Sequence, residues 1–536
     1  MSASDRNGIA EPDPASGTTT RTGSIELVAW AIIAFGALVR IRQYLGARSL
    51  RYDEARVAWE IAERSLPQML DMEGFIRVAP PGWFVLEKLS MMAFGTGELS
   101  LRLVPLVAAL IALPLFWIVP RRYLGERAAL ICLAFGAVSQ EVVFYASELK
   151  QYSSDVTWCL LALLVVHPLF NEPTNRRPWL IAGIVGMAAF WFSQPAVFVF
   201  AAAGIVLLVH VLRTRSADLK HVVGLGAAWT ASLALNYVFI LRGQTGRGDL
   251  INYWRHGFPP LTNVPRAQLD WLNTRFYEFV ETPAGFTSAG LLVFGIIVGF
   301  LALLRRQLSL AAIIALVAVF TLGASTLRLY PIDGRLMLFS VPLLLIVLAA
   351  GIDQLDKAGS SRFFKPGMLL LVLLIASPLV RAARMIVRTE GREEIKAAVN
   401  YAADRMNEND GLYLGQGSYG AYLWYSTWTE QLRNPADRTF VGADVGVGVD
   451  SIRAEIAYMR QYPRVWMVFV DYYPQDVAIV LGQIDPIAER RDEFSAPGAL
   501  AYLYEFRNAV DSALVNARSP RDGGVRPAPQ PRSRPD

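Results

Sequence analysis

Three short segments of the sequence bring acidic and basic side chains together in the way that group transfer to a hydroxyl would require. The segment RYDEARVAWEIAE carries Asp53 and Glu54, YASELKQYSSDV carries Glu148 and Lys150, and LRLYPIDGRLMLFSVP carries Arg335. A carboxylate can take the proton of an attacking hydroxyl, and cationic groups can stabilise a leaving phosphate. The residue types therefore predict acid–base chemistry beside an anion-binding site.

Each segment also has a simpler interpretation. Asp53 and Glu54 could be solvated loop charges, with Asp53 as a helix N-cap. Glu148 and Lys150 could form a salt bridge that only ties down their loop. Arg335 could be an interfacial arginine whose stem lies along apolar surface. The functional interpretation requires all three segments to lie on one side of a membrane.

The elements that must position these side chains are membrane helices. The chain has 536 residues, of which 54% are hydrophobic and 18% charged, and its mean hydropathy is +0.34. An average soluble domain has about 25% charged residues. A helix of roughly 20 apolar residues crosses about 30 Å of hydrocarbon. We predict eleven spans, at about 25–43, 101–120, 128–144, 156–171, 179–193, 196–212, 221–241, 287–304, 308–327, 336–352 and 367–382.

Lysine and arginine between the spans predict the topology, because short cytoplasmic loops retain these residues. Placing the basic clusters in the cytoplasm puts the N-terminus inside and the three chemically interesting segments together outside. The five clusters lie at 121–127, 176–177, 213–220, 305–306 and 357–365.

The segment 81–96 is the least typical of the apolar stretches. It contains Glu87 and Lys88 at mid-length, and charges at that depth are costly in a membrane span. We therefore predict an amphipathic helix that lies at the external interface.

The rest of the chain divides into domains by composition. Basic residues are dispersed, which argues against a nucleic-acid partner, and the only two cysteines fall within predicted spans, so they form no disulfide scaffold. We predict a disordered cytoplasmic N-terminus at 1–24, a transmembrane domain at 25–382 with external loops at 44–100 and 242–286, a small extracytoplasmic α/β domain at 383–510 and a disordered tail at 511–536.

These segments resemble the C-type glycosyltransferases (GT-C), and within them the protein O-mannosyltransferase and aminoarabinose transferase group (glycosyltransferase family 39). The resemblance rests on YDEARVAWE, APPGWFVLEKL, ELSLRLVPLVAAL, YASELKQYSSD and YPIDGRLMLFSVPLL, in this order over residues 25–345. It implies transfer, with inversion, of a sugar from a polyprenyl-phosphate-linked donor to an acceptor hydroxyl of a lipid, glycan or protein. The expected location is the outer face of a bacterial inner membrane, among membrane lipids.

The resemblance also implies catalytic roles. Asp53 is the expected general base, with Glu54 beside it, and Glu148 is expected to position the acceptor or bind a metal. With only four histidines in the chain, a His-rich zinc site is not expected. No metal is required by these residues, although a divalent cation (Mg²⁺ or Mn²⁺) held by Asp53 and Glu148 stays open.

Further residues are expected to bind the donor. Lys150 and Arg335 match basic positions that could hold its phosphate. Aminoarabinose transferases carry a lysine immediately before the proline pair, where this chain has Ala79, with Arg77 two residues earlier as the candidate phosphate contact. The expected substrate-binding residues are Tyr152, Tyr330 and Trp254.

Two other functional classes compete with this hypothesis. A multi-span transporter or lipid flippase would also combine many spans with a few charges, but it predicts ionisable residues buried in mid-helix. A non-catalytic scaffold would bind a partner through its C-terminal domain. The collection of acids at predicted external helix ends favours the enzyme.

Overall fold

A computed structural model describes residues 16–69, 79–171, 175–214, 218–240, 242, 248–261, 264–359, 365–429, 432, 438–442, 449–507 and 526–527. A helical membrane region is followed by a smaller α/β domain. The helices of the membrane region are α1 Ser16–Leu45, α2 Tyr52–Glu63, α3 Pro81–Phe94, α4 Glu98–Leu101, α5 Leu103–Leu124, α6 Glu126–Val138, α7 Gln140–Phe144, α8 Tyr152–Asn171, α9 Arg176–Phe192, α10 Ala196–Thr214, α11 Leu219–Phe239, α12 Gly248–Tyr253, α13 Pro265–Glu281, α14 Ala289–Arg306, α15 Leu308–Thr326, α16 Val341–Ala358 and α17 Pro366–Val387.

The predicted polytopic helical fold is confirmed, with a smaller number of spans. Within the described ranges, nine helices are long and apolar enough to cross a membrane, or ten if α6 and the helical segment after it, bent by 60°, form one span. Helix α9 occupies the position of an eleventh predicted span but has only 17 residues, or about 25 Å at 1.5 Å per residue. Length alone therefore does not qualify it.

Close backbone contact joins α14 to the largely buried α16. A side chain added at Gly299 would overlap the carbonyl oxygen of Val347, and one at Gly351 would overlap that of Gly295. Small residues let two helices approach to backbone contact in this way. Helix α16 directly follows the 3-10 turn Gly334–Ser340, which carries Arg335.

Helix α3 corresponds to the predicted amphipathic helix at 81–96. Its Glu87 is fully buried, and burial, together with the nearby Glu54, raises the pKa of this carboxyl well above its ordinary value. Lys88 donates hydrogen bonds to the carbonyls of Ile61 and Ala62, at 2.9 and 3.1 Å. Because the last carbonyls of a helix lack partners within it, Lys88 caps α2 and ties α3 to it.

The predicted α/β domain is present. Its elements are α18 Ile395–Arg405, β1 Gly411–Leu414, α19 Gln416–Trp424, β2 Thr439–Val441, α20 Val449–Met459, β3 Arg464–Val470, α21 Pro474–Ile484, β4 Ala488–Ala496, β5 Ala499–Phe506 and β6 Arg526–Pro527. The sheet has the order β4-β5-β3-β1-β2-β6. Strand β1 pairs in parallel with β2 and β3, whereas the pairs β3–β5, β4–β5 and β2–β6 are antiparallel. Strands β1, β3 and β5 coincide with the short β-rich runs GLYLG, RVWMVFVDYY and ALAYLYEF of the sequence.

The two predicted disordered ends fall largely outside the described residues. Of the N-terminal segment 1–24, residues 1–15 lie outside, and α1 begins at Ser16. Of the tail 511–536, only Arg526–Pro527 is described, and it pairs with β2.

The α/β domain binds the loop that connects α1 to α2. The backbone N–H of Ser49 donates to Glu394 at 3.2 Å, that of Leu50 to the Tyr425 hydroxyl at 2.6 Å, and that of Tyr52 to Glu393 at 2.8 Å. Buried backbone donors need such partners. The loop that delivers the first predicted acids is therefore held by the C-terminal domain.

Candidate active site

Asp53 lies at the first turn of α2, where the exposed N–H groups and helix dipole favour a negative charge. Its Oδ2 accepts a hydrogen bond from Nη2 of Arg335 at 2.8 Å, and the two side chains are 14% and 17% exposed. Arg335 belongs to the 3-10 turn that precedes α16. An acid and a guanidinium 282 residues apart in sequence thus meet at one end of the bundle.

Lys150 and two aromatic residues surround this pair. Lys150 Nζ donates to the backbone carbonyl of Asp53 at 3.2 Å. The Arg335 guanidinium lies 5.6 Å from the centre of the Trp254 ring, and buried Tyr152 is among its electrostatic neighbours. The structure therefore brings five of the residues predicted from sequence to one place.

Glu148 is buried beside this group and faces two arginines. Its Oε1 lies 3.2 Å from Nη2 of Arg48, and its Oε2 lies 3.9 Å from Nη1 of Arg51. Burial and the nearby Glu54 carboxylate raise the pKa of Glu148 to about 7, although the arginines act in the opposite direction. Among the described residues, Oε2 has no hydrogen-bond partner, so it is an available acceptor.

Glu54 sits next to Asp53 in sequence but faces the protein interior. It is fully buried and forms a two-pronged ion pair with Arg102, at 3.0 Å to Nε and 2.7 Å to Nη2. It also accepts from the backbone N–H groups of Arg51 and Leu149. Burial alone would raise the pKa of Glu54, but Arg102 and these N–H groups outweigh it and lower the pKa to about 2. This environment fits a positioning role rather than proton transfer.

The remaining candidate residues do not contact Asp53 directly in the described part of the structure. The Tyr330 hydroxyl donates to the carbonyl of Leu336 at 2.7 Å, and its ring packs against Phe198, so Tyr330 supports the turn of Arg335. Arg328, at the other side of the same connection, lies over the ring of Phe258 at 5.7 Å. Arg77 lies outside the described residues.

The sequence analysis missed two acids that the α/β domain contributes. Glu393 accepts from Arg51 Nε at 2.7 Å and from the Tyr52 N–H at 2.8 Å, directly beside Asp53. Asp471 follows strand β3 with a φ of 50°. Burial raises its pKa, and its charged neighbours include Asp53 and Arg335. The position of an acid after a buried strand was a usable signal for Asp471.

The residues do not favour a metal ion. Among the described residues, no group of three or more His, Cys, Asp or Glu side chains is arranged to hold one. Asp53 is engaged by Arg335 and Glu148 by Arg48. A divalent cation bound by these two carboxylates would have to displace both arginines.

Comparison with known proteins supports the resemblance predicted from the sequence. Residues 78–237 match the family model described as dolichyl-phosphate-mannose-protein mannosyltransferase. The match covers less than half of the chain, and over these residues it agrees with the predicted resemblance to GT-C glycosyltransferases. A search of curated proteins finds no match.

Several solved structures show a weaker, structural likeness. AglB, an archaeal oligosaccharyltransferase from Archaeoglobus fulgidus in complex with an inhibitory peptide and a dolichol-phosphate, has 13% identity and a TM-score of 0.46, with 88% of this chain and 74% of that chain covered. Apo ArnT from Cupriavidus metallidurans has 14% identity and a TM-score of 0.47, covering 91% and 98%. The arabinofuranosyltransferase AftD from Mycobacteria has 14% identity and a TM-score of 0.42, with 89% of this chain and 41% of that chain covered. With TM-scores below 0.5, these likenesses do not define the function of this chain.

Proposed function

We propose that this protein transfers a sugar from a polyprenyl-phosphate-linked donor to an acceptor hydroxyl, with inversion, at the extracytoplasmic face of a bacterial inner membrane. The observation that carries the proposal is the contact between Asp53 and Arg335 at 2.8 Å. It joins a potential proton acceptor to a potential phosphate ligand at one end of a multi-span bundle. The family match at residues 78–237 supports the same class of reaction.

Asp53 is the general base in this mechanism. The acceptor hydroxyl gives its proton to the Asp53 carboxylate while its oxygen attacks the anomeric carbon of the donor. The bond from that carbon to the phosphate oxygen breaks, and its electron pair leaves with the polyprenyl phosphate. Arg335 and Lys150 stabilise this leaving group, since a guanidinium and an ammonium can both bind phosphate oxygens.

Donor binding also prepares the base. In the free protein, Arg335 is paired with Asp53. A donor phosphate competes for the guanidinium, which frees an oxygen of Asp53 to accept the proton. Glu148 has an Oε2 without a hydrogen-bond partner among the described residues, and in this mechanism it orients the acceptor by accepting a hydrogen bond from a polar group other than the attacking hydroxyl.

The test uses purified protein in proteoliposomes with radiolabelled polyprenyl-phosphate sugars. Asp53→Asn keeps an oxygen for Arg335 but removes the base, so transfer should fall by about 10²- to 10⁴-fold. Glu63→Gln is the matched control, because it removes an exposed acid from the other end of α2. Full activity in Asp53→Asn, with the control also active, would remove Asp53 from its role.

No observation on the described residues favours the transporter or flippase alternative. The ion pairs described above connect the ends of helices and their loops. A transporter would instead move its substrate without cleaving the bond between phosphate and sugar. The same assay distinguishes the two functions, because it detects cleavage of this bond.

A further inference from the structure

A cavity of about 710 Å³ lies where the membrane helices meet the α/β domain. Its walls come from the end of α1, the segment after α17 and the start of α18. Because α1 and α17 are both candidate spans that end here, the cavity lies at the depth where a bilayer places its headgroups. Its volume is in the range of small-ligand sites.

The charged lining of this cavity is mainly cationic. Arg48, Arg388 and Lys396 face it together with one acid, Glu394. The acid is engaged, because Glu394 accepts bonds from the N–H and hydroxyl of Ser49. Arg48 is paired with Glu148 and Lys396 with Glu98, so the uncompensated positive charge of the lining is that of Arg388.

Two of the cations have unused donors. Arg48 is 5% exposed, and its Nε has no hydrogen-bond partner among the described residues. Arg388 is exposed, and no carboxylate of the described part of the chain pairs with its guanidinium. Lys396, in contrast, is bound to Glu98 and to the carbonyl of Ala47. An anion in the cavity would pair with the exposed Arg388 guanidinium and lie beside buried Arg48.

Two exposed apolar residues directly precede lining residues of the cavity in the chain. Leu45 ends α1 and is 60% exposed, and Val387 ends α17 and is 82% exposed. They are followed by the lining residues Gly46 and Arg388. Cations in the lining and exposed apolar side chains at the adjoining ends of two candidate spans match a phospholipid, in which a phosphate is joined to acyl chains.

We infer that this cavity binds the phosphate headgroup of an anionic bilayer phospholipid, with its acyl chains against Leu45 and Val387. The cavity is separate from the proposed donor site at Arg335 and Lys150, and none of the donor-site residues lines it. Arg48 lines the cavity and also contacts Glu148 at 3.2 Å. A bound phosphate would therefore help to hold Arg48 in its position against Glu148. The inference does not require that the proposed sugar transfer is correct.

The test measures lipid binding to the full-length protein by native mass spectrometry. Detergent-purified protein is titrated with phosphatidylglycerol, and in a parallel arm with inorganic phosphate. Arg388→Gln should weaken phosphatidylglycerol binding about fivefold, as expected for one basic residue at an anionic lipid surface. Arg384→Gln is the matched control, since it removes an exposed arginine one turn earlier on α17 without changing the cavity lining.

The outcomes separate the sources of phosphate. Weaker lipid binding in Arg388→Gln alone supports the inference. Equal binding by wild type and Arg388→Gln, or an equal loss in Arg384→Gln, overturns it. Inorganic phosphate that binds as tightly as the lipid would show a free-anion site and overturn the lipid assignment. Because no sugar transfer is measured, failure here is distinguishable from failure of the proposed function.

Discussion

Asp53 and Glu54 are adjacent in the sequence, but their side chains have opposite environments. Asp53 meets Arg335 at a partly exposed site, whereas Glu54 is sealed against Arg102. The two neighbours point to different sides of α2 because successive helical residues are rotated by about 100°. Sequence alone marked the pair, and only the fold distinguishes the proposed base from the positioning residue.

Replacement of Glu54 tests this distinction. Glu54→Ala leaves the Arg102 guanidinium buried without a counter-charge, which costs about 3 to 5 kcal/mol in comparable pairs. We expect a clear fall in the Tm measured by intrinsic fluorescence, and a smaller fall for Asp53→Asn, whose amide oxygen still accepts from Arg335. Equal Tm values for the two variants would contradict a structural role for Glu54.

Glu148 should give the protein a pH dependence. The folded protein holds a proton on Glu148 up to about pH 7, whereas the ordinary value is 4.5. The contribution of this group to stability is therefore fully present below about pH 4.5 and is lost as the pH rises through 7. The change is on the order of 3 kcal/mol.

Thermal unfolding of wild type and Glu148→Gln from pH 4 to 8 measures this effect. The free energy of unfolding of the wild type, relative to that of Glu148→Gln, should fall as the pH rises to about 7 and then stay constant. Glu408→Gln, which removes an exposed acid, should leave the wild-type profile unchanged. Parallel profiles for wild type and Glu148→Gln would show that Glu148 titrates normally.

At the scale of elements, the segment between α17 and α18 positions the start of α2. Glu393 binds both the Arg51 side chain and the Tyr52 N–H. Glu393→Gln weakens this clamp without touching a reacting atom. We expect kcat to fall about tenfold to a hundredfold, because small displacements of a catalytic group have effects of this size, while KM for the donor changes little.

The readout separates positioning from a general loss of stability. Steady-state transfer kinetics and the Tm are measured on the same preparations, with Glu408→Gln as a control in the same domain. A raised KM with normal kcat would place Glu393 in substrate binding instead. An unchanged kcat would show that Asp53 holds its place without the clamp.

Hydrophobicity predicted the membrane helices well, because this signal is local in the sequence. The strands β1, β3 and β5 were likewise visible as short apolar runs. The sequence could not indicate that the α/β domain closes over the α1–α2 loop, since the partners Glu393 and Tyr52 are 341 residues apart. For the same reason Glu393 was missed, whereas the position of Asp471 after a buried strand was a signal that the sequence analysis did not use. Helix α3 was distinguished from the spans because Glu87 and Lys88 lie at its middle.

At the scale of the whole molecule, the predicted orientation can be tested by cysteine labelling. The native Cys132 and Cys159 are buried, so their background should be low. Glu408→Cys in the α/β domain should react with a membrane-impermeant maleimide in intact cells. Arg305→Cys, at the other end of α14 from the site, should react only after the membrane is opened. The reverse pattern would place the proposed site in the cytoplasm.

The grip of the α/β domain on the α1–α2 loop also limits how this protein can be recombined. Three of the four backbone N–H groups at positions 49 to 52 donate to Glu394, Tyr425 and Glu393. A chimera that imports a foreign soluble domain at the end of α17 would exchange all three acceptors at once. The transplant can retain the native loop geometry only if its own residues supply equivalent acceptors, so the loop and the domain form one unit of exchange.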